Sequence, residues 1–395
     1  MMSAFESLSE IKPPLYPLSG YLRVQPPSIS ETDAIRIAEL LIAAHNPAMI
    51  CGRGVHAAKA YQEVQELAEL LGMPVATSYM GKSSIPEIHP LAVGTIAGLG
   101  QKVANKVVRG ADVLLTVGSA LSADNTNNCS PDLINPMEQR IIHIDIEPRN
   151  AGWTYPITLG ITSDAKLALR AIINVIQAKK PTIDVKGRQA KLDALKQSPE
   201  SEFFTSKFFT VEDAPLNPER VVKAINDLIR PEDKIILDGG NNRMWFTKLF
   251  RTKSTNQLIG PGGAAGMAWC ASAVITSSMI YTEGRSIGII GDGGMLMALY
   301  NLETIKQYNA NPIIVVLNNA TYGNPRDYLS AKGAAYCDYD NVNFKKIGEA
   351  MCVNARRVTT IDELNSEFKN ALENPQATIL DVVVKPASHI RIKVM

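Results

Sequence analysis

Short apolar runs alternate with amphipathic stretches along most of this chain, and this alternation constrains the fold more than any other feature. The first series extends from about residue 30 to 180 and includes the strand-like runs PAMIC, MPVATSY, ADVLLTVGS and RIIHIDI. The second begins at Pro218 and includes KIILDGG, SIGIIGDGG, PIIVVLNN and ATILDVVV. Strands that alternate with helices form parallel sheets covered by helices. The sequence therefore predicts an α/β fold with two doubly wound parallel-sheet domains.

Two polar, proline-containing segments separate and precede these series. Residues 1–29 are rich in Pro and Ser and are predicted to be a linker, and residues 181–216 are predicted to be a second linker that carries some helix. The predicted domains are therefore residues 30–180 and 217–395. Within the second domain, the Ala-rich stretch GGAAGMAWCASAVITSS is predicted to form a buried helix.

The composition argues against several functional classes. The chain has 40 Lys and Arg against 39 Asp and Glu, which argues against a dedicated nucleic-acid binder or a polybasic membrane binder. The sequence shows no apolar run of about 18 residues and no secretory pattern at its N-terminus, so we expect neither a membrane span nor export. Its five cysteines are widely spread without a CxxC pair, which predicts reduced thiols in a cytoplasmic protein.

The first glycine cluster, GRGVHA at residues 52–57, fits the pattern G-x-G-x-x-A between a strand and a helix. A dinucleotide site would also need an acidic residue about 20 residues further on to hold a ribose. The next strand ends in VATS at residues 75–78 and offers no acid. The cluster therefore disfavours NAD chemistry, and a tight turn is the simpler interpretation.

The second glycine cluster is more specific, because it is paired with a second polar strand end. Gly291, Asp292, Gly293 and Gly294 follow the apolar run SIGII, and Asn318-Asn319 follows PIIVVL. Ligands of open α/β sheets bind at the carboxyl ends of strands, which is where both motifs fall. Glycines allow the backbone to approach a diphosphate, while carboxylate and amide oxygens suit Mg²⁺ shared between protein and phosphates.

GDG followed at this distance by NN resembles the signature of thiamine diphosphate-dependent enzymes. The segment DGGNNRMW at 238–245 resembles the acetolactate synthase segment around the pyrimidine end of the cofactor, and GAAG at 263–266 resembles the loop that supports its bent conformation. MGK at 80–82, PEIHP at 86–90 and HIDIEP at 143–148 resemble the central domain of the same family. The resemblance covers about residues 20–390, and oxalyl-CoA decarboxylases and 2-hydroxyacyl-CoA lyases share much of it.

The resemblance implies a set of site residues. The metal ligands would be the side chains of Asp292 and Asn319 and the backbone oxygen of Thr321, with Mg²⁺ as the metal. The residues implied for thiamine diphosphate binding are Gly240, Asn241, Asn242, Gly263, Ala264, Ala265, Gly291, Asp292, Gly293, Gly294, Asn319, Thr321, Tyr322 and Gly323.

Three features depart from the family pattern. The family normally begins with a pyrimidine-binding domain that carries the activating glutamate, and no residue here matches that glutamate. The segment PLYPLSGYLRVQPP, near the N-terminus, resembles the connector that follows that domain. Ala265 stands where a bulky residue usually props the cofactor. The loop GSALS at 118–122 lacks the arginine that acetolactate synthases place there, so we expect no FAD or ADP in the central domain.

The resemblance implies the large subunit of a split, acetolactate synthase-like enzyme that decarboxylates a 2-oxo acid or forms a C–C bond. We expect activity only with a separate pyrimidine-domain subunit, in an α₂β₂ assembly in the cytoplasm. The alternatives are an enzyme acting on acyl-CoA substrates, like the oxalyl-CoA decarboxylases and 2-hydroxyacyl-CoA lyases, or a non-catalytic relative. Arg326 and Asp327 are either substrate contacts or solvated charges, and Arg243 and Trp245 are candidates for contacts near the partner surface.

Overall fold

Two parallel six-stranded sheets, each flanked by helices, form the protein, and this confirms the predicted fold class. A computed structural model describes residues 25–387. Most of the predicted N-terminal linker, residues 1–24, and the last eight residues therefore lie outside the described part of the chain. Within the described part, no helix is both long and apolar enough to cross a membrane.

The first sheet has the strand order β3-β2-β1-β4-β5-β6, in which the direction of winding reverses between β1 and β4. Its strands are β1 Pro47–Cys51, β2 Val75–Thr77, β3 Ala92–Thr95, β4 Val113–Val117, β5 Arg140–Asp145 and β6 Leu159–Thr162. Its helices are α1 Glu31–Ala43, α2 Arg53–Ala58, α3 Tyr61–Leu71, α4 Lys102–Arg109, α5 Ala165–Lys179 and α6 Val185–Gln197. Helix α6 lies in the segment predicted to link the domains, and its Leu192 is buried in the core of this first sheet.

The second sheet has the order β11-β12-β10-β9-β7-β8. Its strands are β7 Lys234–Leu237, β8 Leu258–Ile259, β9 Ser286–Gly291, β10 Ile313–Asn318, β11 Asn354–Val358 and β12 Thr378–Val383. Its helices are α7 Pro218–Leu228, α8 Asn241–Leu249, α9 Trp269–Ile280, α10 Asp292–Met297, α11 Asn301–Gln307, α12 Gly323–Arg326, α13 Ala331–Ala334, α14 Phe344–Ala350 and α15 Ile361–Glu373. Apolar side chains pack against both faces of this sheet.

The prediction of one buried Ala-rich helix from Gly262 onwards was wrong in two respects. The helical part, α9, begins only at Trp269, because Ala268 adopts a left-handed conformation with φ 69°. One face of α9 is exposed, with Met279 at 49 % and Ile280 at 66 % exposure. A helix without charged residues is expected to be buried. The described part of the chain nevertheless leaves this face of α9 exposed.

Buried polar contacts join the two sheets. Lys82 donates to both carboxylate oxygens of Glu87 at 2.6 and 2.7 Å, and both residues are at most 1 % exposed. Glu87 also accepts from the backbone N–H of Thr252 at 2.9 Å, on the second domain. The side chain of Gln101 donates to the carbonyl of Lys248 at 2.5 Å. These contacts fix the first domain directly against the domain that carries the second glycine cluster.

Candidate functional site

A cleft opens at the carboxyl ends of β7, β9 and β10, where the sheet presents its loops. Its lining comprises Gly239, Gly240, Asn241, Asn242, Trp245, Met267, Gly291, Asp292, Gly293, Gly294, Leu317, Asn319, Thr321, Tyr322, Gly323, Asn324 and Pro325. Both motifs of the second domain therefore meet at one place, as their position after neighbouring strands predicts.

Asp292 is the buried acid of this cleft. It is 2 % exposed and begins α10 directly after β9. One carboxylate oxygen accepts from the backbone N–H of Ala320 at 2.6 Å and from that of Asn319 at 3.2 Å. Burial raises the pKa of Asp292, whereas the nearby Tyr339 hydroxyl and hydrogen bonds from the N–H groups of Gly293, Ala320 and Asn319 act in the opposite direction. A cation beside the carboxylate would offset this desolvation, so the environment suits a metal ligand.

The turn after β10 is held in a strained backbone conformation. Ala320 adopts a left-handed conformation with φ 56°, which is uncommon for a residue with a Cβ. The side-chain oxygen of Asn319 accepts from the N–H of Thr321 at 3.2 Å, so the turn is closed by its own side chain. Strain of this kind persists where surrounding contacts impose it, and it clusters at functional sites. The turn brings the Asn319 amide and the Thr321 backbone to the same cleft as Asp292.

Two buried amide oxygens in the cleft lack a hydrogen-bond partner. Asn241 and Asn242 begin α8, and the Oδ1 atom of each is buried and unpaired. Their nitrogens are engaged: Asn241 donates to Asp327 at 2.9 Å and Asn242 to the carbonyl of Gly239 at 3.1 Å. Unpaired buried polar atoms are costly, and their concentration in one cleft indicates a polar ligand or a metal with its water. As acceptors, these oxygens fit a metal-bound water or an N–H group of a ligand, and together with Asp292 and Asn319 they fit a site for Mg²⁺.

Sequence reasoning missed the structural role of Asp238. This residue is fully buried, and its oxygens accept from the backbone N–H groups of Ala268 and Cys270, both at 3.0 Å. It thus joins the end of β7 to the start of α9. A Cβ on Gly294 would lie 2.4 Å from one of its oxygens, so this close packing requires glycine at the last position of the cluster. An acid directly before the two glycines at 239–240 was the available signal.

The predicted cofactor residues fall into two groups. Eleven of them line the cleft; the other three, Gly263, Ala264 and Ala265, belong to the adjacent loop and do not. Ala265 adopts a left-handed conformation with φ 45°, and its carbonyl lies 2.2 Å from the position that a Cβ on Gly239 would occupy. The loop therefore packs against the floor of the cleft at Ala265, whereas no atom lies within 4 Å of the position that a Cβ on Gly263 would occupy. Trp245, Met267 and Asn324 line the cleft without having been predicted as cofactor residues.

The remaining candidates, three charged residues and Trp245, have identifiable surroundings in the described part of the chain. Arg326 forms an ion pair with Asp338 at 3.4 Å, while Asp327 accepts from Asn241. Trp245 is only 2 % exposed and belongs to the core beneath the cleft. Arg243 contacts the sulfur of Met80 at 3.6 Å, on the first domain. The structure thus places Asp327 at the cleft, Trp245 in the core and Arg243 at the boundary between the domains.

The backbone around Gly118 fills the space next to the first glycine cluster. A Cβ on Gly52 would lie 2.2 Å from the carbonyl oxygen of Gly118, and one on Gly54 would lie 2.6 Å from the Cα of Gly118. These glycines therefore allow the turn after β1 to pack closely against the turn after β4. This geometry supports the interpretation of the cluster as a tight turn.

Comparison with known proteins agrees with this description. Residues 35–172 match the family model described as "Thiamine pyrophosphate enzyme, central domain", and residues 238–382 match "Thiamine pyrophosphate enzyme, C-terminal TPP binding domain". A probable acetolactate synthase large subunit from Methanocaldococcus jannaschii is 30 % identical over 94 % of this chain and 62 % of its own length. The corresponding protein from Methanococcus aeolicus is 30 % identical over 94 % and 63 %.

A more distant relative has a different name. Pyruvate oxidase from Lactiplantibacillus plantarum is 24 % identical over 93 % of this chain and 61 % of its own length. The chain thus spans somewhat less than two thirds of the curated relatives it matches. The matched models include the cleft and both of its motifs.

Proposed function

Because the chain belongs to the thiamine pyrophosphate (thiamine diphosphate)-dependent enzyme family, we propose that it forms the diphosphate- and metal-binding half of an acetolactate synthase-like active site. The reaction is decarboxylation of a 2-oxo acid, carboligation with a second carbonyl compound, or both. Support comes from the relatives named acetolactate synthase large subunit and from the cleft itself. The observation that carries the proposal is the convergence of Asp292, Asn319 and two unpaired asparagine oxygens in that cleft.

In this proposal the residues of the cleft divide the binding of the cofactor. Asp292 and Asn319 would supply side-chain oxygens to Mg²⁺ and Thr321 its backbone oxygen, while the glycines would border the diphosphate and Asn241 and Asn242 would contact other parts of the cofactor. When bound, the cofactor supplies the electron sink for breaking or forming a bond next to a carbonyl. The protein's contribution is to fix the diphosphate and to keep the cleft floor, which includes Trp245 and Leu317, apolar.

We further propose that a partner subunit covers the pyrimidine half of the cofactor and supplies the activating glutamate. Two observations support this. Met267 and Tyr322 line the cleft and are each 40 % exposed, and the adjacent helix α9 exposes Trp269, Met279 and Ile280. Contiguous exposed apolar side chains mark interfaces. The names of the relatives, which denote large subunits, also agree with an assembly of unlike chains. An α₂β₂ stoichiometry and a cytoplasmic location remain part of the proposal.

The decisive experiment measures turnover of pyruvate, as a representative 2-oxo acid, with thiamine diphosphate and Mg²⁺. The 395-residue chain is assayed alone and after addition of a polypeptide that carries a pyrimidine-binding domain, such as one encoded beside it. We expect no turnover from the chain alone and activity in the mixture. Full activity of the isolated chain would contradict the partner proposal.

A binding measurement separates catalysis from assembly. Titration of the chain with thiamine diphosphate and Mg²⁺, followed by the fluorescence of Trp245 in the cleft, reports on the proposed site without any turnover. The variant Trp269→Phe, on the exposed face of α9, removes a second nearby fluorophore. Saturable, Mg²⁺-dependent quenching would support the proposal, whereas no binding with or without the partner would favour a non-catalytic relative.

A further inference from the structure

The segment between α13 and α14 encloses the turn that carries the proposed metal ligands. We call residues 318–322 the metal turn and residues 337–342 the clasp. The N–H of Tyr322 donates to the carbonyl of Cys337 at 3.0 Å, and the N–H of Tyr339 donates to the carbonyl of Ala320 at 3.1 Å. The hydroxyl of Thr321 donates to the same Cys337 carbonyl at 3.3 Å. The clasp thus pairs with the metal turn along its length.

The clasp also reaches Asp292. The ring of Tyr339 packs against that of Tyr322, with centroids 5.1 Å apart. The buried hydroxyl of Tyr339 lies near the Asp292 carboxylate but has no hydrogen-bond partner among the described residues. The clasp therefore pairs with the metal turn and brings Tyr339 close to Asp292, the proposed metal ligand that follows the neighbouring strand β9.

A buried ion pair anchors the base of the clasp. Asp381 on β12 is fully buried and accepts from Asn318 at 2.7 Å, from the N–H of Phe344 at 3.1 Å and from Arg357 at 2.6 Å. Asn318 is the first asparagine of the NN motif and is itself fully buried. Asp381 thus connects the metal turn to Phe344, the first residue of α14, two residues after the clasp.

Arg357 and Asn341 complete this network. Arg357, on the edge strand β11, donates to the side-chain oxygen of Asn341 at 2.6 Å and to the carbonyl of Val342 at 3.3 Å. Asn341 in turn donates to the side-chain oxygen of Asn318 at 3.1 Å, and Asn318 donates to the carbonyl of Val342 at 2.7 Å. Every member of the network is hydrogen-bonded to at least two others, and satisfied buried networks of this kind impose one geometry.

From these contacts we infer that Asp381, Arg357, Asn318 and Asn341 are positioning residues for the metal ion, acting through the clasp and the strained turn at Ala320. None of the four is among the residues proposed to touch the metal or the cofactor. The inference rests on the proposed function, because it requires Asp292, Asn319 and Thr321 to hold the metal. Outer partners that orient metal ligands typically contribute about 10- to 100-fold to metal affinity.

The experiment compares two fully buried aspartates, each paired with an arginine, that lie at different places in the second domain. Asp233, directly before β7 of the same sheet, is also fully buried and pairs with Arg230 at 2.9 Å. Asp381→Asn and Asp233→Asn therefore each remove the charge of one buried aspartate that is paired with a partly exposed arginine. Mn²⁺ binding to the chain in the presence of thiamine diphosphate is measured by electron paramagnetic resonance, and thermal unfolding is measured in parallel.

We expect Asp381→Asn to weaken Mn²⁺ binding about 10- to 100-fold, and Asp233→Asn to lower the unfolding midpoint without changing the Mn²⁺ affinity. Equal Mn²⁺ affinity in Asp381→Asn and the unchanged chain would overturn the positioning role. Failure of the unchanged chain to bind Mn²⁺ with thiamine diphosphate would instead overturn the proposed function, and the inference with it.

A surface variant keeps the inference testable if Asp381→Asn does not fold. Asn341 is exposed as a residue, so Asn341→Ala removes its two side-chain contacts without opening the core. The control is Asn343→Ala, which removes the N-cap of α14 two residues further on but no contact of the clasp. We expect a several-fold loss of Mn²⁺ affinity in Asn341→Ala only. Equal affinities in the two variants would contradict the inference.

Discussion

The two sheets of this protein present glycine-rich turns at their carboxyl ends, yet the two turns have different surroundings. In the first domain, Gly52 and Gly54 face the backbone of Gly118 at distances that leave no space for a Cβ. In the second domain, the turn at Gly291 faces a buried carboxylate and unpaired amide oxygens. Glycine in such a turn permits a close approach, but the groups opposite it decide whether the chain itself or a ligand makes that approach.

The largest expected effect concerns the acids at the two strand ends. Asp292→Ala should weaken Mg²⁺-dependent binding of thiamine diphosphate by about 100-fold or more, because it removes a proposed metal ligand. The matched control is Asp145→Ala, at the end of β5 in the first domain, where Asp145 accepts hydrogen bonds from the N–H of Glu147 and the side chain of Asn150. Fluorescence titration should show an unchanged affinity for this control. Unchanged affinity in Asp292→Ala would refute the metal assignment.

Glycine substitutions should separate the two turns by stability. Gly52→Ala places a methyl group 2.2 Å from the carbonyl of Gly118, which the backbone must move to accommodate. We expect a loss of about 3 kcal/mol in the free energy of unfolding. Gly263→Ala, in the loop beside the cleft, has no atom within 4 Å of the new methyl group and should leave stability unchanged. Urea denaturation followed by circular dichroism tests the pair, and equal midpoints would contradict the packing argument.

The boundary between the two domains gives a pH-dependent prediction. Lys248 is 8 % exposed, and burial lowers its pKa to about 8, against an ordinary value of 10.5; Glu202 and Glu219 raise it and Lys102 lowers it. Below pH 8 the folded protein holds a poorly solvated charge. Between about pH 8 and 10.5 the folded protein has lost this proton while the unfolded chain retains it, so this group makes stability rise with pH across that window.

Replacement of this lysine should remove its contribution to the pH dependence of stability. Lys248→Met should be more stable than the unchanged chain by about 1 kcal/mol at pH 7, and the difference should shrink as the pH approaches 10.5. Thermal unfolding of the two proteins at pH 7, 8.5 and 10 measures the difference. A difference that does not change with pH would show that Lys248 is charged at all of these values.

Sequence reasoning identified the sheets and the cleft but not the network that holds it. Eight strands were predicted because their apolar runs are continuous, whereas the short strands β3, β6 and β8 were not. The GDGG and NN motifs located the cleft because parallel strands end at the same edge. Strand β11 was missed, since its sequence NARRV places two arginines on a half-exposed edge strand. Tyr339 follows no motif, and its approach to Asp292 results from a long-range fold-back. The exposed face of α9 could not be predicted, because apolar composition does not distinguish a core from an interface.

The smallest expected effect is the absence of a response to flavin. A flavin nucleotide in the first domain would have to place its diphosphate near the end of β1, where Gly52 and Gly54 are already packed against Gly118. The loop after β4, GSALS at 118–122, supplies no arginine to pair with phosphates, and Ser119 is only 6 % exposed. We therefore expect the purified chain to be colourless and the fluorescence of added FAD to remain unquenched at micromolar protein. A flavin absorbance that survives desalting at one equivalent per chain would show that the close backbone contact of Gly52 and Gly54 with Gly118 rearranges to admit a nucleotide. The contrast between the two glycine turns would then reflect occupancy and not their built-in geometry.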